Sequence, residues 1–141
     1  MHGQIKGKFV STMYLVGVIL DTLVGIDLLQ AVLTGQTFMV FAPTLTDAVR
    51  YFGIQVVVFM FGWTILLYWG YREPIDRRAL LLMTAFPIVA GLLCSNLFAI
   101  AIGLGDVIQI IRNIAIQSGL IVGFLVSFYF AETYTRKKAQ S

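Results

Sequence analysis

The stretch Phe9–Leu33, FVSTMYLVGVILDTLVGIDLLQAVL, decides the fold. Crossing a bilayer takes about 20 apolar residues in a helix, and this run is long enough, yet it carries Asp21 and Asp27. A charge near the centre of such a helix costs roughly 3 kcal/mol on insertion scales. At 3.6 residues per turn, Gly17, Leu20, Asp21, Val24, Gly25, Asp27, Leu28 and Ala31 fall within one arc of about 160°. Leu15, Ile19, Leu23, Ile26 and Leu33 occupy the rest of the surface. The reading is a helix with one lipid face and one face of small and polar residues. The second face needs partners from the remaining chain.

Three further apolar segments supply them. The spans read as about 9–33, 52–71, 79–103 and 107–131, with a polar tail at 132–141. The chain is 59% hydrophobic and 12% charged over 141 residues, more apolar surface than a soluble domain of this size can hide. The expectation is one all-α domain over 1–141, an integral membrane four-helix bundle. It is multi-pass, and in a prokaryote it lies in the plasma or inner membrane. The basic start resembles the first part of a signal peptide, but the apolar run is too long and is broken by Asp21, so it reads as an uncleaved span.

Charge placement gives an orientation. Lys6 and Lys8 precede the first span, Arg72, Arg77 and Arg78 join the second to the third, and Arg136, Lys137 and Lys138 follow the fourth. The other side offers Arg50, with Arg112 just inside a span. The positive-inside rule then puts both termini and the 72–78 loop in the cytoplasm. Tyr68, Trp69, Tyr71, Tyr129 and Tyr134 form an aromatic belt at that end. The 34–50 loop, with Phe38, Met39 and Phe41, is apolar enough to fold over the mouth of the bundle. Thr46 and Asp47 are good helix starters, and Asp76 is placed to cap the third helix.

Two patterns bear on packing. Gly17 and Gly25 flank Asp21 on the first helix. Gly91, Ser95 and Ala99 recur every four residues on the third, a spacing that permits close approach between helices. Pro87 removes a backbone hydrogen bond there, which predicts a kink between Met83 and Gly91.

The polar residues at membrane depth are the candidate site. Asp106, Gln109, Arg112, Asn113 and Gln117 share an arc of about 140° on the fourth helix. Counting 1.5 Å per residue from the outer helix ends, Asp27 lies at roughly 9 Å, Arg112 at roughly 8 Å and Asn96 at about 10 Å. Asp21 and Gln117 lie deeper, and Gln55 could join from nearer the surface. The structural reading is an Asp27–Arg112 ion pair, hydrogen-bonded to Asn96, Asn113 and Gln109, that fixes helix register. Arg112 could instead snorkel to Asp106 or to lipid headgroups. The functional reading is a polar cavity for an ion, a proton or a small solute. For Asp21 the alternatives are a proton or cation relay and an acid hydrogen-bonded to Gln117 or a backbone carbonyl.

Composition excludes much chemistry. The single Cys94 rules out an internal disulfide and the cysteine pairs of disulfide-forming membrane oxidases, and it reads as a small core residue. The single His2 rules out a bis-histidine haem site within one chain. No phosphate loop, catalytic triad or metal motif is present, so no metal site, catalytic residue or cofactor is expected. Trp63 among Phe59, Met60 and Phe61 could line a groove for a lipid or a quinone, although a lipid-facing aromatic is the default reading. Nucleic-acid binding has no support, because the basic residues sit at membrane edges. The leading functional expectation is a non-enzymatic accessory subunit that packs with partner membrane chains or its own copies. A small channel or transporter using Asp21, Asp27 and Arg112 comes second, and a lipid- or quinone-handling enzyme third.

Overall fold

A computed structural model describes residues 2–36 and 46–139, with side chains over 7–36 and 46–136. Four helices follow one another: α1 (His2–Thr34), α2 (Asp47–Arg72), α3 (Ala79–Ala101) and α4 (Val107–Ala139). All four are long and apolar enough to cross a membrane. Large apolar side chains are exposed along every one of them, a surface suited to lipid rather than to water. The architecture fits a small multi-pass membrane protein.

Local chemistry sets the helix ends. α1 stops where Gly35 takes φ 79° and its N–H returns to the Ala31 carbonyl at 2.8 Å. α2 starts at Thr46, whose hydroxyl accepts from the Val49 N–H at 3.3 Å. α4 starts at Asp106, whose carboxylate accepts from the Ile108 N–H at 2.9 Å. The expected Asp76 cap is not made. The chain enters α3 through a turn over 74–78, and Arg78 stands at the N-cap with no side-chain hydrogen bond to the helix. The backbone there is already helical, so the entering turn leaves no place for a capping side chain. The fourth helix extends past its apolar span into the polar tail. It continues to Ala139, with Glu132 paired to Arg136 one turn on at 3.0 Å. The apolar 34–50 loop lies largely outside the described residues.

α1 is the organising helix. It lies between α2 and α4, and α4 in turn lies between α1 and α3. Its two faces are as expected: Leu15, Ile19, Leu23, Ile26 and Leu33 are exposed, while Gly17, Gly25, Asp27 and Ala31 are buried. α3 is bent into a π-helical segment over Thr84–Ala90 that contains Pro87. A proline cannot donate to the carbonyl four residues back and its ring crowds that turn, and the wider π turn relieves both.

The largest buried cluster of the bundle lies toward one end. Val10, Tyr14, Leu67, Leu81, Ala85, Val89, Phe124 and Ala131 form one buried cluster toward the end that carries Arg72, Arg77 and Arg78. Tyr14 is fully buried, and its hydroxyl donates to the Arg77 carbonyl at 2.6 Å. Arg77 also lies over the Trp69 ring, donates to the Trp69 carbonyl and pairs with Glu73 at 2.6 Å. Arg78 reaches Glu132 of α4 at 2.7 Å. The α2–α3 turn is thereby tied to α1 and α4. Close backbone approach of α2 to α3 is concentrated in the first turn of α3, Ala79–Met83, and is sparse further along, although Trp63 still reaches Thr84.

Glycine usage follows this packing. A methyl group on Gly70 would overlap the Tyr14 ring, and one on Gly53 would meet Val32 Cγ2 at 2.6 Å. A methyl group on Gly17 would lie 3.2 Å from Phe124 and 3.3 Å from Leu67. Gly25 would meet Phe61 only at ordinary van der Waals distance, 3.6 Å. Around Gly91 there is open space, and Ser95 and Ala99 face the cavity described next rather than a tight helix contact.

Candidate functional site: a cavity within the bundle

Where α2 and α3 part, the four helices enclose a cavity of about 500 Å³. That is within the usual range for sites that hold small molecules, about 300–1,000 Å³. Its walls are chiefly apolar, from Leu20, Val24, Met60, Ile88, Leu92 and Phe124 among others. Polar groups from every helix interrupt them: Asp21 on α1, Trp63 on α2, Thr84, Ser95 and Asn96 on α3, and Arg112, Asn113 and Gln117 on α4. Leu92, Ser95, Leu104, Arg112 and Ile116 line the cavity and are also exposed, so it is open rather than sealed.

Three hydrogen bonds order these groups in pairs of helices. Thr64 Oγ1 donates to Asp21 Oδ2 at 2.6 Å, joining α2 to α1. Asn96 Nδ2 donates to Gln117 Oε1 at 3.0 Å, joining α3 to α4. Trp63 Nε1 donates to Thr84 Oγ1 at 3.3 Å, joining α2 to α3 at the point of parting. Thr84 in turn donates to the Leu80 carbonyl at 2.7 Å, so its hydroxyl both accepts and donates. The π segment begins at Thr84, and Ile88 and Val89 within it line the cavity.

Most of the residues singled out by depth converge here. Asp21, Asn96, Arg112, Asn113 and Gln117 all line the cavity. Asp21 takes Thr64 as partner rather than Gln117 or a backbone carbonyl, and Gln117 is bonded to Asn96. Asp27 and Arg112 do not form the expected pair. The ion pairs among the described residues are Arg77–Glu73, Arg78–Glu132 and Arg136–Glu132. The reason is angular: Asp27 lies about 120° around α1 from Asp21. It is 5% exposed, partnered, and not among the described residues that line the cavity. Matched depth therefore did not imply contact. Gln109 is half-buried and Gln55 exposed, and neither lines the cavity. Asp106 is occupied as the helix start. Cys94 is exposed on α3, not in the core.

Thr64 and Thr84 are the functional-site residues that the sequence did not flag. A threonine inside a helix ordinarily bonds back to the carbonyl four residues earlier; Thr84 does so here, and Thr64, whose one proton is directed to Asp21 at 2.6 Å, also lies 3.0 Å from the Met60 carbonyl. Their placement opposite Asp21 and Trp63 was the only available signal, and it needs the helix arrangement to be seen. Trp63 is not a plain lipid-facing aromatic. It is half-buried, stacks on Phe59 with centroids 6.2 Å apart and hydrogen-bonds across the bundle. Among the described residues there is no cluster of three or more His, Cys, Asp or Glu side chains that could hold a metal. The chain matches no protein family, no curated protein and no solved structure.

Proposed function

We propose that this chain is a non-enzymatic multi-pass membrane protein that binds a small amphipathic molecule in the cavity between its helices. The single observation that carries this reading is the cavity itself. It gathers Asp21, Asn96, Arg112, Asn113 and Gln117 from three helices within otherwise apolar walls. Polar and ionisable groups inside a span are expensive and, as a rule, mark a ligand or ion path. A bundle needing only stability would gain more from apolar side chains filling the same volume. In this reading both termini and the 72–78 loop face the cytoplasm, following the positive charges.

The direct test is native mass spectrometry of the protein released from its own membrane. A small-molecule adduct is expected on the wild type. It should be lost in Ala99→Phe, which fills a cavity wall while leaving the polar residues intact. A wild type that carries no adduct from any membrane, or an adduct retained in Ala99→Phe, contradicts the reading.

The accessory-subunit reading has its own support. Gly62, Gly91 and Gly119 each open onto empty space on the outside of the bundle, where a neighbouring transmembrane helix could approach closely. The two readings are compatible, because these glycines lie on outward surfaces and the cavity lies between the helices.

A further inference from the structure

Resting on the binding reading above, we propose that the cavity takes an anionic single-chain amphiphile, its head on Arg112 and its chain along the apolar walls. Among the described lining residues only Asp21 and Arg112 carry charge. Asp21 already accepts a short hydrogen bond from Thr64. Arg112 takes part in none of the ion pairs among the described residues. Arg112 is therefore the charged lining group with no ion-pair partner among the described residues, and a guanidinium is suited to grip a carboxylate or phosphate through two parallel hydrogen bonds. Asn113, the next residue, lines the same wall and adds an amide donor.

The shape agrees with a chain behind that head. From Arg112 the lining continues along α4 through Ile116 and Leu120 to Phe124, a rise of roughly 18 Å. Ile88 and Leu92 of α3 form an apolar wall of the same cavity. The parted α2 and α3 give an acyl chain a sideways path from the bilayer. Arg112 snorkelling to phospholipid headgroups at the membrane edge is the competing account of its position.

Trp63 lines the cavity and the chain's second tryptophan, Trp69, stands at the basic end, so Trp69→Phe leaves one reporter inside the site. This protein is placed in phosphatidylcholine nanodiscs and titrated with mid-chain dibrominated stearic acid, whose bromines quench tryptophan. Saturable quenching is expected for the acid, and only a shallow, non-saturating decline for its methyl ester. Arg112→Gln should raise the half-saturation point by about tenfold or more, the loss of one charge-assisted contact, while Arg112→Lys keeps most of the binding. Equal saturation by acid and ester, or an unchanged Arg112→Gln, overturns the anion assignment. So does a wild type with no saturable phase. If its native adduct persists, the binding reading survives that result. Saturable quenching that is unaffected by Ala99→Phe places the acid outside the cavity and overturns the proposal.

Discussion

Thr64 Oγ1 lies 2.6 Å from Asp21 Oδ2, so the deepest acid of α1 is held by a hydroxyl of α2 and not by the polar face of α4. This bond fixes one wall of the cavity and leaves Gln117 to hold Asn96 on the opposite wall. The acid and the amide pair thus stabilise different helix contacts around one space.

That division predicts how Asp21 responds to substitution. Asn keeps the shape and can still accept from Thr64, so Asp21→Asn should be nearly neutral in stability when the protein is unfolded with SDS from mixed micelles. Thr64→Val strips the acid of its donor and should cost about 1–3 kcal/mol. Asp21→Leu should be worse than Asn, because it adds bulk near Gly17, where a methyl group would lie 3.2 Å from Phe124, and leaves Thr64 without its acceptor. A well-folded Asp21→Asn protein that loses a proton- or cation-coupled flux present in the wild type would make Asp21 a relay instead.

The cross-bundle pairs give a second prediction. A double-mutant cycle of Asn96→Val with Gln117→Leu should show coupling of about 0.6 kcal/mol, typical of hydrogen bonds between helices in membranes. The same cycle for Asp27→Asn with Arg112→Gln should be additive, within about 0.5 kcal/mol. Strong coupling in the second cycle would mean that the two residues meet.

A third prediction separates the glycines. Gly70→Ala forces the Tyr14 ring away and threatens its bond to Arg77, and it should cost about 1–3 kcal/mol as an overpacking change. Gly25→Ala has ordinary clearance and Gly91→Ala meets nothing, so both should be close to neutral or slightly stabilising. Thermal inactivation of the three variants side by side would check the ranking, and a Gly91→Ala as damaging as Gly70→Ala would refute it.

Much of the fold was legible in the sequence, because in a membrane the hydrophobic pattern and the backbone's need for internal hydrogen bonds leave few options. The four spans, the two faces of α1, the start of α2 at Thr46 and the bend near Pro87 follow from periodicity and backbone chemistry alone. The site was legible in part. Depth counting put Asp21, Asn96, Arg112 and Gln117 at cavity level, but depth carries no information about which helices are neighbours. The pairing of Asp21 with Thr64, and the turn of Asp27 away from Arg112, depend on α1 lying between α2 and α4. Gly53 and Gly70 were hidden for a similar reason. Their neighbours, Val32 and Tyr14, come from another helix and follow no spacing rule.

Orientation gives a fourth prediction. With Cys94 replaced by alanine, a cysteine at Thr37 should react with an impermeant maleimide added to intact cells, and one at Gln140 only after lysis. The opposite pattern would invert the bundle and place the Arg112 level of the cavity near the cytoplasmic side.

The central claim is that the space between α2 and α3 is a ligand site and not a packing gap. Its most direct test is an experimentally determined structure of the protein in lipid nanodiscs, at a resolution that shows side chains. The account predicts α2 and α3 parted beyond Ala79–Met83, with elongated non-protein density running from Arg112 past the Asn96–Gln117 pair. Helices closed on one another, with Leu92 and Met60 filling the space and no room for density, would contradict it.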